Sequence, residues 1–131
     1  LNMPEKNDEE PEDQETSEIK LSNTISIVMG KDDRIFYYQQ AVSDVTAADL
    51  IETDYSEKGI RAEIMKKKMA AIDSSKFTVI LKPTKEATFK NTVDILDEME
   101  ITGNKLYAIV DLQKQEEDAY NEKMKTPKGG N

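Results

Sequence analysis

The sequence contains neither cysteine nor histidine. Without cysteine, the chain cannot form disulfides, thiolate metal sites or cysteine nucleophiles, and its redox compartment stays open. Without histidine, it lacks the side chain that most often serves as a general base near neutral pH and as a transition-metal ligand. These two absences exclude ordinary hydrolytic triads and the usual zinc sites.

Glycine and long apolar runs are also scarce. Only Gly129 and Gly130 are adjacent, so no glycine-rich loop that cradles phosphate can be assembled. No apolar run approaches the roughly 18 to 20 residues that cross a bilayer, and no short apolar core follows a basic start as in a signal peptide. We therefore expect the printed chain to be soluble and to bind no nucleotide.

Basic residues do not gather into a stripe, and the net charge of -9 comes mainly from one end of the chain. Residues 1–18 hold eight acidic residues against one lysine, which leaves a net charge of -2 for the rest. Because the rest of the chain is nearly neutral, it offers no positively charged surface for phosphates, and nucleic acid is not an expected partner. Residues 1–23 also lack hydrophobic periodicity, and we predict an acidic flexible linker there.

The remaining chain has the length and the apolar content for one modest domain. Alternation of apolar residues predicts a half-buried strand in "TISIVM", which begins at Thr24, and aromatic and β-branched residues predict a second strand in "RIFYY". The turn chemistry of "GKDD" between them indicates an antiparallel hairpin. Residues 39–57 are polar, and we predict a surface connection.

Helices and strands then alternate. Helical spacing of apolar residues predicts an amphipathic helix in "SEKGIRAEIMKKKMAAID", and "KFTVILK" reads as a strand that Pro83 ends. Thr88 as an N-cap and Gly103 as an exit bound a second helix, and "NKLYAIVDL" forms a final strand. Strand, helix and strand in sequence imply parallel pairing. The predicted fold is α+β: a two-layer sandwich with a mixed β-sheet, two helices on one face and the order ββαβαβ.

The residues that could carry chemistry have simpler explanations. Asp94 stands at helical spacing from Asp97 and Glu98, and such a pair could act as acid and base or bind a hard cation, but a solvated helix face explains them. The lysines at 66–68 could bind an anion, yet three consecutive helical residues fan out around the axis. We therefore expect a protein that is not an enzyme, with no catalytic residue, no metal site and no cofactor.

Tyrosines could build a binding surface, because their rings combine apolar area with a polar tip. On the last strand, Tyr107 and Ile109 lie opposite the row formed by Leu106, Ala108 and Val110. Packing in the core or in a dimer is the alternative to a binding surface for Tyr37 and Tyr107. The candidate residues for a partner or dimer interface are Tyr37, Tyr107, Ile109 and Asp111.

The unit "KFTVILKPTKEATFKNTVDILDEMEITGNKLYAIVDL" resembles the C-terminal half of the ExbD/TolR family of biopolymer transport proteins. In that family a strand leads through a polar turn into a helix, a small-residue turn and a final apolar strand. Upstream, "NTISIVMGKDDRIFYY" resembles the opening hairpin of the family, and "GIRAEIMKKKM" falls where its first periplasmic helix lies. The matching positions in the unit are Val93, Ile95, Leu96, Asp97, Met99, Gly103 and residues 106–110.

The first four residues add to the resemblance. "LNMP", which is Leu1, Asn2, Met3 and Pro4, resembles the short motif that the family carries just after its single N-terminal transmembrane helix. We interpret it as a post-membrane linker motif. Pro83 and Thr84 depart from the family, which often has an acidic residue in that turn.

The resemblance implies a single-pass protein of the bacterial inner membrane, with this part in the periplasm. Its transmembrane helix, which is not in the printed chain, would sit within an ExbB/TolQ-like membrane subunit and carry an aspartate needed for proton flow. The periplasmic domain would form a homodimer and bind a TonB-like energy transducer, so that the proton motive force drives TonB-dependent outer-membrane transport. The alternative is a TolR-like module of a Tol-type motor, with peptidoglycan as its partner and envelope integrity as its role.

The predicted organisation has three parts. Residues 1–23 form the acidic flexible periplasmic linker, residues 24–112 the ExbD/TolR-like periplasmic domain, and residues 113–131 a C-terminal tail with a short helix and a disordered end. A linker of about 20 residues has a root-mean-square reach near 25 Å. An uncovered edge strand would pair with a second copy or with an incoming peptide, and either the first hairpin or the final strand could supply it.

Overall fold

A computed structural model describes residues 21–129. The motif formed by Leu1, Asn2, Met3 and Pro4, and most of the predicted linker, lie outside the described residues. The strands are β1 (Thr24–Met29), β2 (Ile35–Tyr38), β3 (Ile51–Thr53), β4 (Thr78–Pro83) and β5 (Tyr107–Ile109). The α-helices are α1 (Ala62–Ala70), α2 (Phe89–Ile101) and α3 (Lys114–Lys123).

The five strands form one open mixed sheet in the order β3-β2-β1-β4-β5. β1 pairs antiparallel with β2 and parallel with β4. β2 pairs antiparallel with β3, and β4 pairs parallel with β5. The predicted α+β class, the mixed sheet, the hairpin and the parallel crossovers are confirmed.

β1 lies at the centre of the sheet and is buried on both faces. Ile25, Ile27 and Met29 belong to the main core cluster, as their alternation predicts. Val28 points the other way, into a second cluster on the opposite face. The prediction of a half-buried strand was therefore incomplete, since an additional layer covers the second face.

α1 and α2 pack on the same face of the sheet. Ile64 of α1 and Ile95 and Met99 of α2 join the strand residues of the main core cluster. The Thr88 hydroxyl caps α2 by accepting a hydrogen bond from the Asn91 N–H at 3.1 Å. Gly103 leaves the helix with a φ of 71°, the left-handed conformation that glycine adopts without strain.

α3 packs on the second face, where the sequence predicts a tail. Ala119 and Tyr120 lie against Val28 and Phe36, and the rings of Phe36 and Tyr120 meet edge to face with centroids 6.1 Å apart. A Cβ at Gly30 would come within 2.5 Å of the Tyr120 ring, so glycine permits this approach. The short helix predicted in the tail is confirmed, and it is part of the folded domain.

The residues after α3 also contact the sheet. The Arg34 guanidinium donates hydrogen bonds to the carbonyl oxygens of Thr126 and Pro127, at 3.1 and 3.2 Å. The Gly129 N–H donates to the Glu52 carboxylate at 3.0 Å. Backbone groups of Thr126, Pro127 and Gly129 therefore have partners just before β2 and on β3, where the sequence predicts a frayed, disordered end.

The connection between β2 and α1 differs from the predicted surface loop. It contains β3, which pairs with β2, and two single turns at Val42–Asp44 and Ala47–Asp49. Val45 and Leu50 are buried in the second-face cluster. Polar residues surround Val45 and Leu50 in the sequence, so the pattern did not indicate that these two side chains are buried. A strand of three residues is too short to be recognised from periodicity.

Candidate functional site

β5 is the outer strand on one side of the sheet, and its residues are exposed. Its inner side pairs with β4, and no strand in residues 21–129 pairs with its outer side. Four large apolar side chains in and beside this strand are more than 40% exposed: Leu106 46%, Tyr107 44%, Ile109 50% and Val110 42%. An apolar edge of this kind is a template for pairing with another chain.

The hydrogen bonds to β4 fix which main-chain groups of β5 are free to pair. The Leu106 carbonyl accepts a hydrogen bond from the Val79 N–H at 3.0 Å, and the Val110 N–H donates to the Leu81 carbonyl at 2.9 Å. Because successive residues of a strand direct their main-chain groups to opposite sides, the N–H and C=O groups of Tyr107 and Ile109 point away from β4. These are the groups that a further strand would meet.

The side chains of Tyr107 and Ile109 share the face that α2 covers. Their register partners on β4 are Val79 and Leu81, which are core residues of that face. Between α2 and β5 lies a groove of about 500 Å³, with lysine and carboxylate groups in its lining. Its lining residues are Leu96, Asp97, Met99, Glu100, Asn104, Lys105 and Tyr107.

The opposite edge of the sheet is better protected. β3 has three residues, and the carboxylate of its central residue, Glu52, accepts hydrogen bonds from Arg34 at 2.9 and 3.0 Å. Both edge strands have three residues, so their length does not distinguish them, but an inward-pointing charge such as that of Glu52 protects an edge from unwanted pairing. The first hairpin lies inside the sheet because β3 covers β2, so the final strand is the open apolar edge.

Three of the four predicted interface residues lie together. Tyr107 and Ile109 are in β5, and Asp111 follows two residues later as an exposed residue. Tyr37 does not join them. It is 7% exposed on β2, which β1 and β4 separate from β5, and its hydroxyl donates to the Glu63 carboxylate at 2.8 Å.

The position of Tyr37 explains its environment. Burial and then the hydrogen bond to Glu63 raise the pKa of the Tyr37 hydroxyl above its ordinary value. Tyr37 is therefore a core residue, which is the alternative that the sequence left open. The main-chain orientation of Tyr107 and Ile109, by contrast, has no signal in composition or periodicity beyond their alternation with Ala108.

A second pocket lies where β4 and β5 end, beside α3. It has a volume of about 470 Å³. The Tyr120 hydroxyl in its wall accepts a hydrogen bond from the Lys31 N–H at 3.0 Å and donates to Glu86 at 2.8 Å. Sequence reasoning missed this pocket because α3 supplies part of it. Its lining residues are Pro83, Thr84, Lys85, Glu86, Asp111, Leu112, Glu117, Tyr120 and Asn121.

A buried ionic cluster holds α3 to the sheet. Lys82 of β4 forms an ion pair with Glu116 of α3, and both side chains are at most 5% exposed. The Tyr38 hydroxyl also donates a hydrogen bond to Glu116. Burial and then this hydrogen bond raise the pKa of Tyr38. All three groups bond one another, so the cluster serves to seat the helix.

The described residues show no metal centre and no membrane span. In residues 21–129, no three His, Cys, Asp or Glu side chains converge so that they could hold a metal ion. Within the same residues, no helix is both long and apolar enough to cross a membrane. No family model, no curated protein and no solved structure matches the chain.

Proposed function

We propose that this chain is the periplasmic part of an ExbD-like subunit of an inner-membrane motor, and that β5 is the edge through which it pairs with a partner strand. The observation that carries the proposal is the open apolar edge at Tyr107 and Ile109. The sequence resemblance supplies the motor, the inner membrane and the periplasm. The partner is a second copy of the domain or the energy transducer.

Both the main chain and the side chains of the β5 edge suit the addition of a strand. The outward N–H and C=O groups of Tyr107 and Ile109 provide main-chain hydrogen bonds to an extended segment. The side chains on either face of β5 and the groove beside α2 provide contacts for alternate side chains of that segment. Binding of this kind needs no chemistry at the site, so the chain acts as a binding module and not as an enzyme.

In the motor, the edge would connect the tethered domain to the part of the machine that it moves. A TonB-like transducer has to be engaged across the periplasm, and an extended segment of it can add to β5 without unfolding the domain. A dimer that pairs through β5 would use the same groups. Dimerisation and transducer binding through this edge would then exclude each other.

Replacing Ile109 by lysine tests the proposed edge. A charged side chain in an edge strand blocks further pairing, so Ile109→Lys should weaken self-association or transducer-peptide binding by about tenfold or more. The matched control is Ile51→Lys, which places the same change on β3, where Ile51 is 44% exposed. The measurements are sedimentation equilibrium for the dimer and titration calorimetry with the periplasmic peptide of the transducer.

The outcomes of this experiment also separate the alternative. Equal effects of Ile109→Lys and Ile51→Lys, or no effect of either, would count against the β5 edge. Binding to purified sacculi that survives Ile109→Lys would favour the TolR-like function in peptidoglycan binding and envelope integrity. The pocket that presents polar groups of Asp111, Tyr120 and Asn121 is the observation that favours this alternative.

A further inference from the structure

The chain enters the described domain at one end of the sheet, which we call the entry pole. Here residues 21–23 meet the end of α1, since the Asp73 N–H donates to the Asn23 side chain at 3.0 Å. The end of α2 is close by, because the Lys68 ammonium donates to the Gly103 carbonyl at 3.3 Å. Residues 105–106, just before β5, also lie at this end of the sheet.

The entry pole combines lysines with exposed apolar side chains. Met69 is 80%, Ile72 63% and Ile101 56% exposed. The Asp73 carboxylate at this pole accepts from the Ser75 N–H and hydroxyl at 3.2 and 2.6 Å. Both of these hydrogen bonds end on one oxygen of the carboxylate, Oδ1. The lysines of the pole are Lys67, Lys68, Lys76 and Lys105.

The part of the chain that reaches this pole carries the opposite charge. All eight acidic residues of the N-terminal segment lie within residues 5–18, shortly before Leu21. A chain of about 15 residues has a root-mean-square reach near 20 Å, which matches the size of one end of a small domain. Covalent linkage also gives such a segment an effective concentration in the millimolar range.

We propose that the acidic segment, residues 5–18, docks on the entry pole of its own domain. Its carboxylates face Lys67, Lys68, Lys76 and Lys105, and its apolar and methylene groups cover Met69, Ile72 and Ile101. An anionic bilayer is a weaker occupant, because the segment attached at this pole has the same sign of charge as the bilayer. The inference goes beyond the proposed function and does not depend on it.

A spin label placed in the segment tests the docking. The chain has no cysteine, so Asn7→Cys supplies a single labelling site without removing an acid. At about 20 mM salt, amide signals of Met69, Ile72 and Ile101 should be broadened at least about twofold more than signals at the opposite end, such as Gly30. At about 1 M salt, where the Debye length is near 3 Å, this excess should fall at least twofold.

Matched charge variants separate docking from mere proximity. One variant carries glutamine in place of the four lysines of the pole, and it should lose the salt-sensitive part of the broadening. These lysines are Lys67, Lys68, Lys76 and Lys105. The same change at four lysines of the opposite end, Lys31, Lys85, Lys90 and Lys128, should leave it unaltered. Unchanged amide signals at the buried centre of β1, such as that of Ile27, show that each variant is folded.

Two results would overturn the proposal. One is that the amide signals of the pole are broadened equally in both variants and that salt does not change this broadening. The segment would then be near the pole only because it is attached there. The other is broadening in a mixture of isotope-labelled chains without spin label and spin-labelled chains without isotope. In that case the occupant is the segment of a second copy.

Discussion

At the scale of single residues, charged side chains on the second face of the sheet are buried in pairs. Arg34 and Glu52 are one pair, and their side chains are 6% and 3% exposed. The hydrogen bond to Glu52 raises the pKa of Arg34. Burial acts to raise the pKa of the Glu52 carboxyl, but hydrogen bonds from Arg34 and the Gly129 N–H hold that pKa below its ordinary value.

This pair predicts a dependence of stability on pH. Because the pKa of Glu52 is lower in the folded than in the unfolded chain, its contribution is present above the ordinary value of 4.5 and is lost as the pH falls through the folded value. We expect the free energy of unfolding to fall as the pH drops below about 4.5, and Glu52→Gln to make this decrease smaller.

Urea unfolding at several pH values measures the effect. Glu57→Gln, which removes the same charge from an exposed position, is the control. An acid dependence of the same slope in Glu52→Gln and in the unsubstituted chain would show that the Arg34 pair does not contribute it.

At the scale of helices and strands, α3 is held by few apolar contacts and by a buried ion pair. Ala119 and Tyr120 are its buried apolar residues, and Lys82 and Glu116 form the pair beneath it. A buried pair contributes little relative to a well-packed apolar pair, but breaking it leaves a buried charge. The free energy of unfolding should therefore respond differently to a single substitution in this pair and to a double one.

Glu116→Gln should lower the free energy of unfolding by about 3 to 5 kcal/mol, because it leaves Lys82 charged and buried. The double variant Lys82→Met with Glu116→Leu should cost much less, since it removes both charges. Denaturant unfolding of both variants provides the measurement. A double variant as unstable as Glu116→Gln would mean that the pair itself, and not the isolated charge, determines the stability.

The elements differ in how far the sequence could predict them. The alternation in β1, and Thr88 and Gly103 at the ends of α2, gave correct elements because their signals are local. β3 has three residues and no period of its own. The seating of α3 depends on Lys82 and Glu116, which are 34 positions apart and meet only in the folded chain.

The same limit applies to the candidate site. Alternation on the final strand sets Tyr107 and Ile109 apart from their neighbours, and both lie on the open edge. Tyr37 carries the same aromatic signal, but it is buried because α1 covers its face of the sheet and β1 and β3 flank its strand. Whether an aromatic strand residue is core or interface depends on the order of strands, which periodicity does not contain.

At the scale of the whole molecule, the described domain has two unlike edges and two unlike ends. The β3 edge carries the buried Arg34–Glu52 pair, whereas the β5 edge is apolar and open. The described chain begins at the pole that carries Met69 and its neighbouring lysines. An arrangement with one open edge suits a tethered domain that pairs with one extended partner at a time.

Hydrogen exchange at the β5 amides tests the central claim most directly. In the free monomer, the N–H groups of Tyr107 and Ile109 point outward and should exchange rapidly, whereas that of Ala108 is directed toward β4. In the dimer, or with saturating periplasmic peptide of the transducer, we predict that exchange of Tyr107 and Ile109 slows by about tenfold or more, with little change at Ala108. A complex that forms while these two amides continue to exchange as in the free chain would contradict the proposal.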